Sequence, residues 1–169
     1  VAALLGAEDQ VPAWLEAADK MERSMLHHPT LSLVDDGKLV KRRNRTGEVA
    51  RIVPFNCRTA PGAPVSVESI HNITPDSGVA VPIAMGTVDP RSALARNTLD
   101  ELETLWNRRW SFGGYERYNS SAQIDQPGPW TFATCFIMRA QHEAGLLDRS
   151  RRSLEWLYDH GGHSGAWYE

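Results

Sequence analysis

Apolar residues recur at helical spacing over much of the chain. Trp14, Ala18, Met21 and Met25 lie three and four residues apart, which is one face of a helix. Pro12 suits its first turn and Pro29 stops it. His27 and His28 close it, where positive charge is favoured; being adjacent, they point different ways and do not read as a metal pair. A second helix is expected from Asp89-Pro90, with Asp at the cap and Pro at the first helical position, running through SALARNTLDELETLWNRRW. Leu94, Leu99, Leu102, Leu105 and Trp106 form its apolar stripe. Glu101 and Glu103 fall away from that stripe and read as solvated charges. Pro129 opens a third helix, with Ala133, Phe136, Ile137, Ala140 and Ala144 on its core face and Gly145 as its C-cap. Asp148 caps a fourth, with Leu154, Leu157 and Tyr158 facing inward and Gly161-Gly162 ending it. The last two, joined by a short link, form an αα-hairpin.

Residues 30–53 change period. LSLV, DDGK and LVKRR read as strand, turn and strand, and a second turn at 44–47 leads into EVARIVPF. Val34, Leu39, Val40, Val49, Ile52 and Val53 are too few for an independent sheet, so a hairpin lying over helices is expected. RTAPGAPV at 58–65 is a Pro/Gly loop. After it come a short helix near 65–71, a turn at TPDSG and a short buried segment ending at Gly86. The expectation is a mainly α fold with one inserted β-hairpin, in a single domain spanning 1–169.

Composition narrows the function. With 41% apolar and 23% charged residues the chain is an ordinary globular sequence, and a net charge of −3 argues against a nucleic-acid partner. KLVKRR at 38–43 is one local basic run and reads as a solvated strand face. No apolar run approaches the ~20 residues of a membrane span. Cys57 and Cys135 make no disulfide framework; two free thiols in a reducing compartment are expected, with a single bridge between them as the alternative, and this favours the cytoplasm. No zinc spacing, nucleotide-binding loop, GxSxG elbow, HExxH or EF-hand appears, so neither metal nor cofactor is expected. Asn44, Asn72 and Asn119 stand in Asn-x-Ser/Thr triplets, which accept glycans only in a secretory setting. The first residue is Val and the chain stops directly after SGAWYE; both ends read as cut, and a fragment of a longer protein is expected.

Candidate chemistry concentrates after Gly113. The loops there carry Tyr115, Arg117, Tyr118, Asp125, Trp130, Trp167 and Glu169. Flat aromatic faces, an arginine and isolated carboxylates are what a sugar site needs: a surface for the ring, charged groups for the hydroxyls and an acid for the bond. Glu169 follows Trp167 and Tyr168, where partial desolvation can tune a carboxyl.

The order GGYERY, then D-x-P-G-P-W, then TFATCFIMRAQHEAGL, then SLEWLYDHGGHSGAWYE resembles the late part of the catalytic domain of six-hairpin glycosidases, nearest to the glucoamylase and glucodextranase type (glycoside hydrolase family fifteen). The resemblance covers roughly the last third of the chain. It implies helical hairpins forming part of an (α/α)6 toroid and an inverting hydrolysis of a glycosidic bond. It places Glu169 as the general base, Trp130 as the helix-opening Trp and Arg117-Tyr118 on the substrate-side loop, with Trp130 or Trp167 as a stacking face; Tyr115 and Asp125 are added as substrate-binding candidates from the loop's composition. The chain departs from the pattern in two ways. It ends on the Glu, without the Gln that normally follows, and the Trp-Glu context of the family's general acid does not occur between Val1 and Gly113. Inversion needs both carboxyls ~6.5–9.5 Å apart. A carbohydrate substrate, and other chains or fragments of the same protein as partners, are therefore expected. The alternative is a non-catalytic helical module that binds carbohydrate or protein through the same loops.

Overall fold

The computed structural model describes residues 2–49, 75–108, 113–118 and 128–161. They form a mainly α structure with one small antiparallel hairpin. Helix α1 (Ala2–Leu5) leads through a 3-10 turn into α2 (Val11–His27). α2 stops where the sequence demands. His28 precedes Pro29 and is extended (φ −61°, ψ 131°), because a following proline disfavours the helical conformation. The His28 ring then accepts the N–H groups of Thr30 and Leu31 at its Nδ1, so it is spent on a turn. Only the end of α2 reaches the core, through half-buried Met25 and Leu26. Trp14 and Met21 are 49% and 73% exposed, so most of the predicted apolar face of α2 is uncovered.

The hairpin is shorter than LSLV and LVKRR suggest. Strands β1 (Val34–Asp35) and β2 (Lys38–Leu39) pair with Val34 opposite Leu39 and Asp35 opposite Lys38. Asp36 and Gly37, both with positive φ, make the two-residue turn that matches strand twist. Arg43 belongs to the basic run but does not face solvent. Its guanidinium donates to the carbonyls of Ser32, Gly47 and Val34 and to Asp35, stapling the hairpin to the 44–47 turn. The pair sits on a later helix through Leu39 N–H to Thr98 Oγ1 (2.9 Å) and Lys38 to Glu101 (3.3 Å).

TPDSG does form a turn. Asp76 caps a 3-10 turn (Ser77–Ala80) that runs into α3 (Val81–Ala84). This is the buried segment expected before Gly86: Ala80, Ile83 and Ala84 have almost no exposure. The short helix expected near 65–71 lies outside the described residues.

α4 (Ala93–Leu102) begins later and ends earlier than predicted. Its cap is Ser92, whose Oγ accepts Ala95 N–H, while Asp89 closes the preceding turn by accepting Arg91 N–H. It ends in a 3-10 turn (Glu103–Leu105), and Trp106 is extended. The chain leaves the helix there because Trp106 pairs with Tyr115 and Asn107 N–H bonds to Gly114 C=O. A backbone pairing that sequence periodicity does not register thus takes over from the helix.

α5 (Thr131–Glu143) and α6 (Leu147–His160) form the expected αα-hairpin. Gly145, at φ +75°, ends α5 in a Schellman motif, with Gly145 N–H on His142 C=O and Leu146 N–H on Gln141 C=O. The inward face of α6 differs from the prediction. Ser150, Ser153, Trp156 and Leu157 are buried, while Leu154 and Tyr158 are 44% and 78% exposed. Asp148 lies in the first turn, and no side chain caps this helix. The core joins α3, α4 and α5 around Ile83, Leu99, Leu102, Leu105, Tyr115 and Ile137.

Candidate functional site

The segment 113–118 is a short extended piece held on both sides. Glu116 N–H bonds to Leu105 C=O, Trp130 N–H to Tyr115 C=O, and Ser77 N–H to Arg117 C=O. Tyr115 N–H bonds to Thr134 Oγ1 of α5. The loop that carries Arg117 and Tyr118 is therefore tied to the Glu103–Leu105 turn, to the residue preceding α5 and to the Ser77–Ala80 turn, which makes its position definite.

Those ties bring together three of the predicted residues. The Arg117 guanidinium lies 4.8 Å from the Tyr118 ring centre and 5.4 Å from that of Trp130. At these distances the cation is attracted by both ring faces. Lys41 joins the cluster from beyond β2: Nζ donates to Tyr118 Oη at 3.1 Å and stands over its ring at 4.5 Å. Lys41 also pairs with Asp76 Oδ2 at 2.5 Å, while Asp76 Oδ1 accepts Gly78 N–H at 2.7 Å. Asp76 is 3% exposed, so this ion pair is fixed on its acidic side. A buried carboxylate deprived of its cation would cost several kcal/mol, which holds Lys41 in place beside Tyr118.

Next to these side chains is a cavity of about 280 Å³. Its apolar wall comes from Met25 of α2, Leu33, Leu39, Val79 and Pro82. Its polar side is Lys41, Asp76 and Arg117. Neither Lys41 nor Asp76 stood out in the sequence: one lay in a basic run read as solvated, the other in a turn motif. The missing signal is the long-range contact between the hairpin and the 3-10 turn.

Tyr115 is placed elsewhere. It has no exposure, packs edge-on against Trp106 with ring centres 5.0 Å apart, and donates its hydroxyl to Glu103. The same hydroxyl accepts from Gln141 (2.6 Å) and Arg152 (2.9 Å). Arg152 pairs with Glu103 at 2.8 Å and stacks over Trp106. Glu103, read from the sequence as a solvated charge, is instead the acceptor that ties α4, the 113–118 segment, α5 and α6 together. Here Tyr115 supports the loop from beneath. Asp125, Trp167 and Glu169, with Cys57, lie outside the described residues. Cys135 is a free, half-buried thiol whose burial pushes its pKa up, the environment of an inert cysteine.

The Tyr115 phenol is pushed up by burial, and the Glu103 carboxylate adds to the shift by its hydrogen bond and its charge. An unfolded chain loses this proton near pH ~10. Below that pH both states keep it and the network contributes fully. Above it only the unfolded state releases it, so stability falls as pH rises, by up to about 1.4 kcal/mol per unit. Denaturant unfolding between pH 8 and 11 is expected to show this alkaline loss in the wild type and a flatter limb in Tyr115→Phe. Equal slopes would show that Tyr115 is not the group responsible.

Among the described residues, no three His, Cys, Asp or Glu side chains converge as a metal site, and no helix is long and apolar enough to cross a membrane. Comparison with models of protein families, with curated proteins and with solved structures gives no match.

Proposed function

We propose that this chain supplies the base side of an inverting glycoside hydrolase site, within a helical toroid of the glucoamylase type. The observation that carries this reading is the placement of the Arg117 guanidinium over the rings of both Tyr118 and Trp130. The resemblance assigns these residues to a substrate-side loop and a helix-opening position twelve or more residues apart, and in the fold they form one cluster. The antiparallel α5–α6 hairpin supports the toroid reading, since such hairpins are its repeating unit. The uncovered apolar side of α2 supports further helical elements packing there, from the same protein or another chain.

In this mechanism Glu169 takes a proton from water as the water oxygen bonds to the anomeric carbon. The glycosidic C–O bond breaks on the opposite face, and a second carboxylic acid gives its proton to the leaving oxygen. Arg117 holds sugar hydroxyls, and Trp130 or Trp167 offers a stacking face. The test is incubation of the intact protein, with every chain that completes the site, with α-linked glucans, followed by proton NMR of the released sugar. First appearance of the β-anomer supports the reading. First appearance of the α-anomer removes inversion. Saturable sugar binding without release identifies the non-catalytic module instead.

A further inference from the structure

The cavity beside Arg117 has a chemistry of its own. One side is apolar, from Met25, Leu33, Leu39, Val79 and Pro82; the other presents Lys41 and Arg117. Asp76 is the carboxylate on that side, and it is committed to Lys41 and to Gly78 N–H. Among the described lining residues, two cations stand against one carboxylate, which leaves a net positive charge at the polar side. Among the described residues no carboxylate pairs with Arg117, whose guanidinium is placed by the Tyr118 and Trp130 rings instead. Lys41 is anchored by Asp76 and Tyr118. Both cations are therefore positioned without a ligand, and a volume of about 280 Å³ is at the small end of ligand sites.

We infer that this cavity binds a single carboxylate-bearing molecule about the size of one six-membered ring. The carboxylate meets the Arg117 fork, for which its two oxygens are the geometric match. The ring lies against the Met25–Val79–Pro82 wall. Two sources share this chemistry: an acidic sugar, such as a uronic acid within a saccharide, or a free aromatic or aliphatic acid. The inference stands on the cavity and shares only Arg117 with the hydrolase reading. Binding and turnover are measured separately, so either can fail without the other.

The experiment is a ligand-detected NMR titration of the full chain at constant ionic strength, using glucuronate against glucose and phenylacetate against phenylacetamide. At least one acid is expected to bind about tenfold or more tightly than its neutral counterpart. Preference for glucuronate identifies an acidic sugar; preference for phenylacetate identifies a free apolar acid. Arg117→Gln is expected to abolish the discrimination. Met25→Trp, which fills the cavity and leaves both cations, is expected to abolish binding of the acid itself. Circular dichroism checks that each variant is folded, and either variant alone decides the matter if the other is not. Acids and neutral counterparts behaving alike, or an acid preference that survives in a folded variant, overturns the inference.

Discussion

Gly114→Ala is expected to cost about 2–4 kcal/mol of stability, lowering Tm by roughly 5–15 °C for a chain of this length. Two effects add. Gly114 has φ +72°, a conformation that costs an L-residue about 1 kcal/mol or more. A Cβ there would lie 2.6 Å from Pro129 Cβ and 2.7 Å from Trp156 Cζ2, closer than carbon atoms can approach, and overpacking of this kind costs typically 1–3 kcal/mol. Pro129 pairs with Glu116, and Trp156 is 8% exposed and stacked on His160 at 4.6 Å. Gly145→Ala separates the two effects. Its φ is +75° and its Cβ would meet nothing within 4 Å, so it should show the conformational cost of about 1 kcal/mol alone. Thermal and denaturant unfolding of both variants measures the difference. Equal losses would show that the close approach to Trp156 and Pro129 is not what requires glycine. The result also bears on the candidate site, since Gly114 begins the extended segment that presents Arg117 and Tyr118.

On the proposed hydrolase reading, Glu169→Gln in the intact protein is expected to lower kcat by about 10²–10⁴-fold, with KM little changed. The amide matches the carboxylate in shape and still accepts a hydrogen bond, so substrate contacts persist. It cannot take a proton from water at neutral pH, so the attacking oxygen loses its activation only in the transition state. Removal of an interaction made only there lowers kcat and kcat/KM together. The assay is turnover of the α-glucan hydrolysed most rapidly by the active protein, with binding of the same sugar measured alongside. Turnover within a few-fold of wild type would end the assignment of Glu169 as base. Joint loss of binding and turnover would make it a binding residue.

Much of the helical framework is readable from the chain. α2, α5 and α6 appear where three- and four-residue spacing puts them, and Gly145 ends α5 as its position suggests. These features depend on neighbours in sequence, which backbone geometry brings together by itself. The inward face of α6 is not readable in this way. Ser150 and Ser153 count as polar, yet Ser153 satisfies its hydroxyl on Arg149 C=O and both are small enough to be buried. Glu103 is misplaced for a related reason. Its position looks solvated, and only partners from residues 115, 141 and 152 draw it into a half-buried network.

The candidate site divides in the same way. Aromatic and charged residues clustered in one loop mark Arg117, Tyr118 and Trp130 from the sequence, because density of unusual side chains is a local property. Tyr115 stands in that loop too, and tertiary packing turns it inward, where three polar partners satisfy its hydroxyl. Lys41 and Asp76 become neighbours only when the hairpin settles against the 3-10 turn, 35 positions apart in the chain. Local spacing and composition therefore decide which helices form and which loop is rich in chemistry. Which of its side chains face a cavity, and which distant cation and carboxylate stand beside them, is settled by contacts between residues far apart in sequence, and these carry no periodic signal along the chain.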